Sequence, residues 1–356
     1  MKKLLNSTMA LASIMLVAGC DKPASSFSLL ASEATFKQSI AYVPRKIDIL
    51  WVVDSSGSMA SSQTNLANNF QQFIQDFQTK NFDFHMAVTD TGAYLDYHYN
   101  TKTRSAWRQG STTPYSGVLV MDKNTPNLTT VFAKNIKTGT TGTGDERAFS
   151  SFKKALENPD NLGFQRPGAF LAVIIVSDED DFSHYDWNNG INSYYFTENY
   201  ADANMFSVQS FKDSLISFTG STAATAANNF AVHTISVRDQ ACVTALGNSG
   251  QKISQRYPAL STATGGLAAS ICSPMSTVLD QLSKKTIELA ATFKLDREPY
   301  PDTLRIIVDG VTSAQSSTCG WTYDATSWVI SFHGSTCIPG AGASVQIFYE
   351  PKTAAQ

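Results

Sequence analysis

Asp54, Ser56 and Ser58 place three oxygen-bearing side chains within one short stretch of the chain. They follow directly on an apolar run, 47–53, of the kind that forms a parallel strand buried on both faces. Gly57 lets the backbone fold closely between the two serines. Carboxylate and hydroxyl oxygens in a tight turn suit Mg²⁺, which prefers oxygen ligands. This turn therefore predicts a site for a hard divalent cation at the end of a strand.

Two further stretches carry oxygen donors close to predicted elements. Residues 140–146, Thr-Thr-Gly-Thr-Gly-Asp-Glu, precede a predicted helix, and residues 177–181, Ser-Asp-Glu-Asp-Asp, follow the strongly apolar run 170–176. Consecutive acidic side chains repel one another unless a cation or water screens them, so we expect a cation nearby. Asp180 and Asp181 leave alternatives open: they hold a second ion such as Ca²⁺, or they are solvated, or they cap the next segment.

The elements that position these loops alternate between strands and helices. Such alternation predicts an α/β fold with a doubly wound, mostly parallel sheet, in which ligands bind outside the carboxyl ends of the strands. Short apolar runs without helices predict a small antiparallel β domain over 294–352. Before it, the patterns predict strands over 47–53, 82–88, 170–176 and 230–237, and helices over 65–77, 148–156, 206–218 and 276–293.

Two long inserts interrupt the alternating pattern, at about 91–140 and 183–203. Connections of this length are usually functional or carry structure of their own. Within the first insert, residues 117–120 and 128–132 predict a hairpin. Both inserts are rich in aromatic residues, which either form a binding surface or pack the inserts onto the body of the fold.

The Asp-x-Ser-x-Ser turn after the first strand resembles the metal-ion-dependent adhesion site (MIDAS) of von Willebrand factor A (vWA) domains. The resemblance covers about residues 46–293 and is closest to a group of bacterial vWA lipoproteins of unassigned activity. It implies that Ser56 and Ser58 bind the cation directly and that Asp54 acts mainly through water. The ion is expected to be Mg²⁺, with Mn²⁺ or Ca²⁺ as alternatives.

The same resemblance implies two more ligands, a threonine just before a helix and an aspartate at the end of a central strand. Thr143 has the family's spacing to the following helix, with Thr141 as the alternative, and Asp178 matches the aspartate. The second loop departs from the family by carrying Asp145 and Glu146. Either Glu146 approaches the ion, or the two acids complement the dipole of the helix that follows; we favour the second interpretation.

The N-terminus has the pattern of an export signal. Met1-Lys2-Lys3 precedes an uncharged apolar stretch that is too short to span a membrane comfortably, so residues 1–19 predict a signal peptide. The stretch ending at Cys20 resembles a bacterial lipobox, which implies a lipidated Cys20; an ordinary signal peptide is the alternative. Residues 20–45 then form a tether. We expect a lipid-anchored, periplasm-facing envelope protein, and Asp21 resembles an inner-membrane retention signal without settling which membrane holds it.

Four cysteines follow the predicted tether: Cys242, Cys272, Cys319 and Cys337. An even number in an exported chain predicts disulfides, and three pairings are possible. We favour Cys242 with Cys272 and Cys319 with Cys337, because each bridge then stays inside one predicted domain. Free buried thiols are the alternative.

Composition argues against several other functions. The net charge is −3, there is no basic block, and the five histidines lack zinc-ligand spacing. Nucleic-acid binding is therefore not expected, and the absence of a Gly-x-x-x-x-Gly-Lys-Ser/Thr loop argues against nucleotide binding. The expected function is a non-enzymatic, envelope-anchored binding or adhesion module whose cation coordinates an Asp or Glu of a partner protein. An assembly or chaperone-like subunit is the alternative, and a metal-assisted hydrolase is less favoured.

Overall fold

The structure, a computed structural model, describes residues 36–41, 44–188, 191–192, 195–247 and 250–352. The predicted signal peptide and Cys20 lie outside these residues, as does most of the predicted tether. Within the described part of the chain, no helix is long and apolar enough to cross a membrane.

Fifteen strands and eight α-helices make up the described chain. The strands are β1 (Phe36–Ala41), β2 (Ile47–Val53), β3 (Phe84–Asp90), β4 (Met121–Asp122), β5 (Phe170–Val176), β6 (Trp187–Asn188), β7 (Ile191–Asn192), β8 (Phe230–Ser236), β9 (Ala268–Ser270), β10 (Thr292–Lys294), β11 (Arg305–Val308), β12 (Val311–Ser313), β13 (Gly320–Asp324), β14 (Val329–His333) and β15 (Ser344–Tyr349). The helices are α1 (Ala60–Thr79), α2 (Leu95–Tyr99), α3 (Leu128–Asn135), α4 (Ala148–Glu157), α5 (Val208–Phe218), α6 (Gln240–Ala245), α7 (Arg256–Ala263) and α8 (Met275–Ala290).

A mostly parallel six-stranded sheet has the order β4-β3-β2-β5-β8-β9. Only the edge strand β4 runs antiparallel to its neighbour. The chain passes from β2 to β3 on one side and then returns to β5 on the other side of β2. At such a reversal, the carboxyl ends of the two flanking strands open a crevice where ligands bind. The register pairs Val53 of β2 with Val176 of β5, so the turns that follow these strands start side by side.

Alternate side chains of β2 enter two separate hydrophobic clusters, one on each face of the sheet. Ile49 and Trp51 pack in the cluster that contains α1, α3 and α8, whereas Leu50 and Val52 pack in the cluster that contains α4, α5 and α7. All four side chains are fully buried. Burial of one such aliphatic side chain contributes about 1.5–3 kcal/mol, which explains why the apolar runs predict the central strands well.

One element of the first insert differs from the prediction. The hairpin expected from 117–120 and 128–132 is wrong, because residues 128–132 belong to helix α3. Leu128 and Phe132 lie four residues apart, so a helix places both on one buried face. The Phe132 ring stacks on Phe70 with 3.5 Å between ring centroids. This packing outweighs the strand preference of the β-branched residues between them.

The C-terminal strands form two small antiparallel sheets, with orders β1-β15-β11-β12 and β10-β14-β13. Residues 36–41, placed in the tether by sequence, instead form β1 and pair with β15. Ile330 and Ile347 share a hydrophobic cluster with α1 and α8, and the Lys80 ammonium donates to the Ile338 carbonyl oxygen at 2.7 Å. The C-terminal strands therefore extend the core of the larger sheet.

Two disulfides join the four cysteines of the described chain. Cys242 is bonded to Cys272, and Cys319 is bonded to Cys337. The favoured pairing is therefore confirmed. The first bridge links α6 to the residues after β9, and the second links the residue before β13 to the segment after β14.

Candidate metal centre

The turn after β2 holds its aspartate rigidly. Asp54 is fully buried, and its two carboxylate oxygens accept hydrogen bonds from the Ser56 backbone N–H and from the Ser177 hydroxyl, both at 2.7 Å. The Gln63 side-chain amide donates to the Asp54 carbonyl oxygen at 2.8 Å. The first two bonds fix the direction of the carboxylate, and the third holds the backbone of the turn.

Ser56, Ser58 and Asp178 form a continuous line of oxygen atoms. The hydroxyl oxygens of Ser56 and Ser58 are 3.1 Å apart, and the Ser58 hydroxyl donates to Asp178 Oδ1 at 3.1 Å. Ser56 is buried but Ser58 is exposed, so the line opens to solvent on one side. The structure thus brings the first and third predicted loops together, as the adjacent register of β2 and β5 requires.

The spacing of these oxygen atoms suits a small divalent cation. Oxygens bound to one Mg²⁺ at about 2.1 Å in an octahedron lie about 3.0 Å from their neighbours. Both observed separations are 3.1 Å. No group of three or more His, Cys, Asp or Glu side chains in the described chain is placed to hold a metal by itself. A cation here would therefore depend on the serine hydroxyls, a donor set that favours hard cations.

The second loop lies directly on the first turn. The Gly142 N–H donates to the Ser55 carbonyl oxygen at 2.9 Å, and Gln63 donates to the Gly139 carbonyl oxygen at 2.7 Å. A Cβ atom at Gly142 would lie 2.3 Å from the Ser55 hydroxyl oxygen, so only glycine fits this approach. The contact between loops is therefore made chiefly by backbone atoms.

Thr143 reaches none of the other predicted ligands through a hydrogen bond in the described chain. Its hydroxyl accepts from the Asp145 N–H at 3.3 Å and donates to the Asp145 carbonyl oxygen at 3.4 Å. Thr141, the alternative, is exposed. The role of Thr143 as a ligand stays a prediction that these local contacts do not support.

Glu146 lies in a buried position before α4 and outside the helix. Helix α4 begins at Ala148, so neither Asp145 nor Glu146 lies in its first turn, and the favoured helix-dipole interpretation is wrong. Asp145 instead forms an ion pair with Arg147 at 2.6 Å. Glu146 is only 1% exposed, and neither carboxyl oxygen has a hydrogen-bond partner among the described residues. Asp54 is a polar neighbour of this carboxyl without hydrogen-bond geometry to it.

The electrostatics of the cluster favour bound positive charge. Burial and then the nearby Asp54 raise the pKa of Glu146 well above its ordinary value. Burial, followed by the charges of Asp54 and Asp178, raises the pKa of Glu179 to about 8. The pKa of Asp54 rises to about 6, mainly through burial and with a contribution from Asp178. Groups that resist ionisation for these reasons gain from a neighbouring cation.

Arginine and lysine do not supply that positive charge in the described chain. No ion pair there involves Asp54, Glu146, Asp178 or Glu179. Lys252 lies close enough to Glu179 to lower its pKa slightly, but its ammonium forms an ion pair with Glu198. The fit of a divalent cation therefore rests on both the oxygen spacing and the uncompensated acidic charge.

Asp180 and Asp181 have different roles from the two acids before them. Asp180 accepts hydrogen bonds at the start of α7 from the N–H groups of Gln255 at 2.7 Å and Arg256 at 3.0 Å. Asp181 accepts from the Phe149 N–H at 2.9 Å, in the first turn of α4, and pairs with the Arg256 guanidinium at 3.2 Å. Both residues are buried, so the solvated alternative is wrong. Neither caps the next segment, because α7 begins 76 residues after Asp180 and α4 precedes both acids. The second ion stays a prediction.

Ser177 and Thr91 have roles in the site that were not predicted from the sequence. Ser177 orients Asp54, and the Thr91 hydroxyl accepts from the Ser55 N–H at 3.4 Å. Both residues directly follow a strand that pairs with β2. Polar residues at the carboxyl ends of adjacent parallel strands were therefore the signal that could have identified them.

Some aromatic residues of the two inserts are buried, and others are exposed. Tyr94 and Trp107 are buried, whereas Tyr97 and Tyr185 are exposed. A cleft of about 560 Å³ lies beside α4, and its lining includes Tyr94, Tyr97, Arg147 and Tyr185. The two interpretations of the inserts thus apply to different residues. The side chains of Trp187 and Tyr194 lie outside the described ones.

Comparison with known proteins identifies no family. No protein-family model and no curated protein matches the sequence. Among solved structures, the open conformation of the pilus adhesin SpaC from Lactobacillus rhamnosus GG is 12% identical, with a TM-score of 0.40 and coverage of 88% of this chain and 39% of that chain. Proximal thread matrix protein 1 from the mussel byssus is 13% identical, with a TM-score of 0.35 and coverage of 74% and 52%.

The pilus adhesin RrgA from Streptococcus pneumoniae is 10% identical, with a TM-score of 0.33 and coverage of 88% of this chain and 57% of that chain. This chain therefore spans between 39% and 57% of the length of these three proteins. Similarity at this level carries no argument about the site, which depends on the geometry described above.

Proposed function

We propose that this chain is a metal-dependent protein-binding module of the vWA type, with a doubly wound sheet and a MIDAS-like site at its carboxyl edge. The observation that carries the proposal is the line of oxygen atoms formed by Ser56, Ser58 and Asp178 at 3.1 Å spacing. It is supported by the helices on both faces of the sheet and by the reversal of strand order beside β2. The cation class is Mg²⁺, Mn²⁺ or Ca²⁺.

The residues of the chain have distinct tasks in this proposal. Ser56, Ser58 and Asp178 hold the cation, and Asp54 orients the turn through its bonds to the Ser56 N–H and to Ser177. The bound cation would accept one carboxylate oxygen from an Asp or Glu of a partner protein. Exposure of Ser58 leaves the approach to the site open. Charge-assisted contact with a carboxylate is stronger than an ordinary hydrogen bond, so a few atoms can supply much of the specificity.

The exposed aromatic residues beside the cleft would add contact area with the partner. Tyr97 and Tyr185 present large, mostly apolar rings at the surface, and aromatic side chains are enriched among residues that dominate binding energy. We place this module on the periplasm-facing side of a bacterial membrane, anchored through lipid on Cys20. The partner, the lipid anchor and the absence of catalytic activity are parts of the same proposal.

The experiment is a pull-down from bacterial envelope extract with the full chain as bait, in Mg²⁺ or in EDTA. We expect a partner band in Mg²⁺ that is lost in EDTA and lost with Asp54→Ala and Asp178→Ala. The control Asp213→Asn, at an exposed position of α5, should keep the band. Circular dichroism confirms that each variant is folded. Capture of the partner by both site variants at the wild-type level would contradict the proposal.

A further inference from the structure

Glu146 is a buried acid that the described hydrogen-bond network leaves unused. Its side chain is 1% exposed, and both carboxyl oxygens are without hydrogen-bond partners in the described chain. Burial of a polar group in this state is unfavourable, and native structures rarely keep such a group without a reason. A missing ligand beside the carboxyl is one such reason.

A backbone hydrogen bond ties Glu146 to a neighbouring loop. The Phe182 N–H donates to the Glu146 carbonyl oxygen at 2.8 Å, which ties this residue to the segment after the third loop. The following Arg147 is also fixed, because its guanidinium pairs with Asp145 at 2.6 Å and with Asp186 at 2.8 Å. The two neighbours of Glu146 in the sequence thus pair with each other, and Glu146 alone faces the acidic cluster.

The Glu146 carboxyl group lies close to two other loops of the site. It is near Asp54 and Thr91, the residues that follow β2 and β3. Two buried carboxyl groups beside each other repel when ionised, unless a cation lies between or next to them. Thr143, by contrast, uses its hydroxyl on the backbone of its own loop.

We propose that Glu146 supplies the ligand of the second loop to the divalent cation, in the place that the vWA resemblance gives to Thr143. The inference rests on the cation of the proposed function and adds a second directly bound carboxylate to that of Asp178. Additional carboxylates raise the affinity of an oxygen site for Ca²⁺, which accepts six to eight oxygen ligands. The site should therefore bind Ca²⁺ at least as tightly as Mg²⁺.

The first experiment measures the affinity of the cation alone. The full chain, stripped of metal with EDTA and dialysed at pH 8, is titrated with CaCl₂ and with MgCl₂ by isothermal calorimetry. We expect Glu146→Gln, which keeps the shape of the side chain, to weaken Ca²⁺ binding by about tenfold or more, the size of effect seen when a metal ligand's support is lost. Glu157→Gln, an exposed acid at the other end of α4, is the matched control and should bind like the wild type.

A second measurement separates a ligand from a purely structural acid. Without metal, we expect Glu146→Gln to melt at the same temperature as the wild type or higher, because the amide keeps the shape of the side chain and carries no charge to bury. In saturating Ca²⁺ the order should reverse. A lower melting temperature without metal, combined with an unchanged rise on adding Ca²⁺, would assign Glu146 a structural role and overturn the inference.

The variant Thr143→Val ranks the two candidate residues of the second loop. We expect it to weaken Ca²⁺ binding less than Glu146→Gln does. The reverse order, or Glu146→Gln affinity equal to that of the wild type, would overturn the assignment while leaving the cation site itself intact. Absence of any heat or melting shift with the wild-type chain would instead contradict the proposed function, and the inference with it.

Discussion

Asp178 and Glu179 differ sharply from Asp180 and Asp181, although the four acids are consecutive in the sequence. The first pair faces the cluster with Asp54, where no arginine or lysine of the described chain forms an ion pair with it. The second pair accepts backbone hydrogen bonds from the starts of α7 and α4, and Asp181 also pairs with Arg256. Acidic residues that are consecutive in the sequence therefore have two different roles in the structure.

The difference shows that the surroundings of an acidic residue, and not its charge alone, indicate a metal site. Helix N-termini carry unpaired N–H groups. These donors, together with the Tyr200 hydroxyl at Asp180 and the Arg256 guanidinium at Asp181, compensate the burial of the two acids. Within the described chain, no helix N–H group donates to the side chain of Glu146 or of Asp178.

The largest effect is expected from Asp181→Ala. It removes the acceptor of the Phe149 N–H and leaves the Arg256 guanidinium without its carboxylate. Breaking a buried pair in this way lowers the free energy of unfolding by about 3–5 kcal/mol. Urea denaturation in EDTA measures this loss. Asp178→Asn is the comparison, and we expect it to lower the free energy of unfolding by less than about 1 kcal/mol. Equal losses from the two variants would remove the distinction between the pairs.

The second effect concerns metal-linked stability. At a free Mg²⁺ concentration of about 100 times its dissociation constant, binding to the folded state alone should add about 2.7 kcal/mol to the free energy of unfolding. Asp178→Asn should gain almost nothing, because it lacks a proposed ligand. Denaturation of both proteins in EDTA and in MgCl₂ checks this, and a full gain in the variant would exclude Asp178 from the site.

A smaller effect, which depends on pH, is expected from the buried side chain of His233. The His233 Nδ1 atom accepts from the Leu267 N–H at 3.0 Å, and burial lowers the pKa of His233 to about 3. The unfolded chain therefore binds a proton more readily below about pH 6.5, so stability should fall as the pH drops from there towards 3. The slope is about 1.4 kcal/mol per pH unit.

The control for this pH effect is His233→Gln, which can accept the same backbone hydrogen bond but does not titrate. The difference in unfolding free energy between the wild type and the variant should narrow by about 1.4 kcal/mol per pH unit between pH 6 and 4. Above pH 7 the difference should be constant. If the difference in unfolding free energy between the two proteins stayed constant down to pH 4, His233 would be accessible to protons in the folded state.

The smallest effect is expected from Tyr200→Phe. This change removes the hydroxyl that donates to Asp180 at 2.8 Å, while the backbone donors to Asp180 remain. A loss of about 1 kcal/mol is expected for one hydrogen bond. Ca²⁺ affinity should not change, as calorimetry can verify. A large loss of metal binding would show that the two acidic pairs act as one unit.

Apolar runs were sufficient to predict the four central strands of the larger sheet from the sequence, but not its short edge strands β4 and β9. Residues 47–53 and 170–176 form β2 and β5 with the predicted bounds, since both runs are apolar apart from Asp48 and are buried on both faces. Because parallel strands end at one edge, the proximity of Ser58 and Asp178 also followed from sequence. These inferences need only local patterns and one rule of sheet topology.

Long-range contacts explain what the sequence could not predict. Strand β1 forms only because β15, more than 300 residues later, offers an edge to pair with. Helix α3 depends on the stacking of Phe132 against Phe70, which no local propensity reveals. The burial of Glu146 depends on the path of the second loop across the first turn, which is set by backbone contacts such as Gly142 to Ser55.

The most direct test of the central claim is anomalous X-ray diffraction from crystals of the chain soaked in MnCl₂. We expect a Mn²⁺ peak within about 2.0–2.6 Å of the hydroxyl oxygens of Ser56 and Ser58, with Asp178 and Glu146 in contact. Crystals of Asp178→Asn serve as the control and should lack the peak. A wild-type crystal with no peak at this cluster, or with Mn²⁺ bound only elsewhere, would contradict the account.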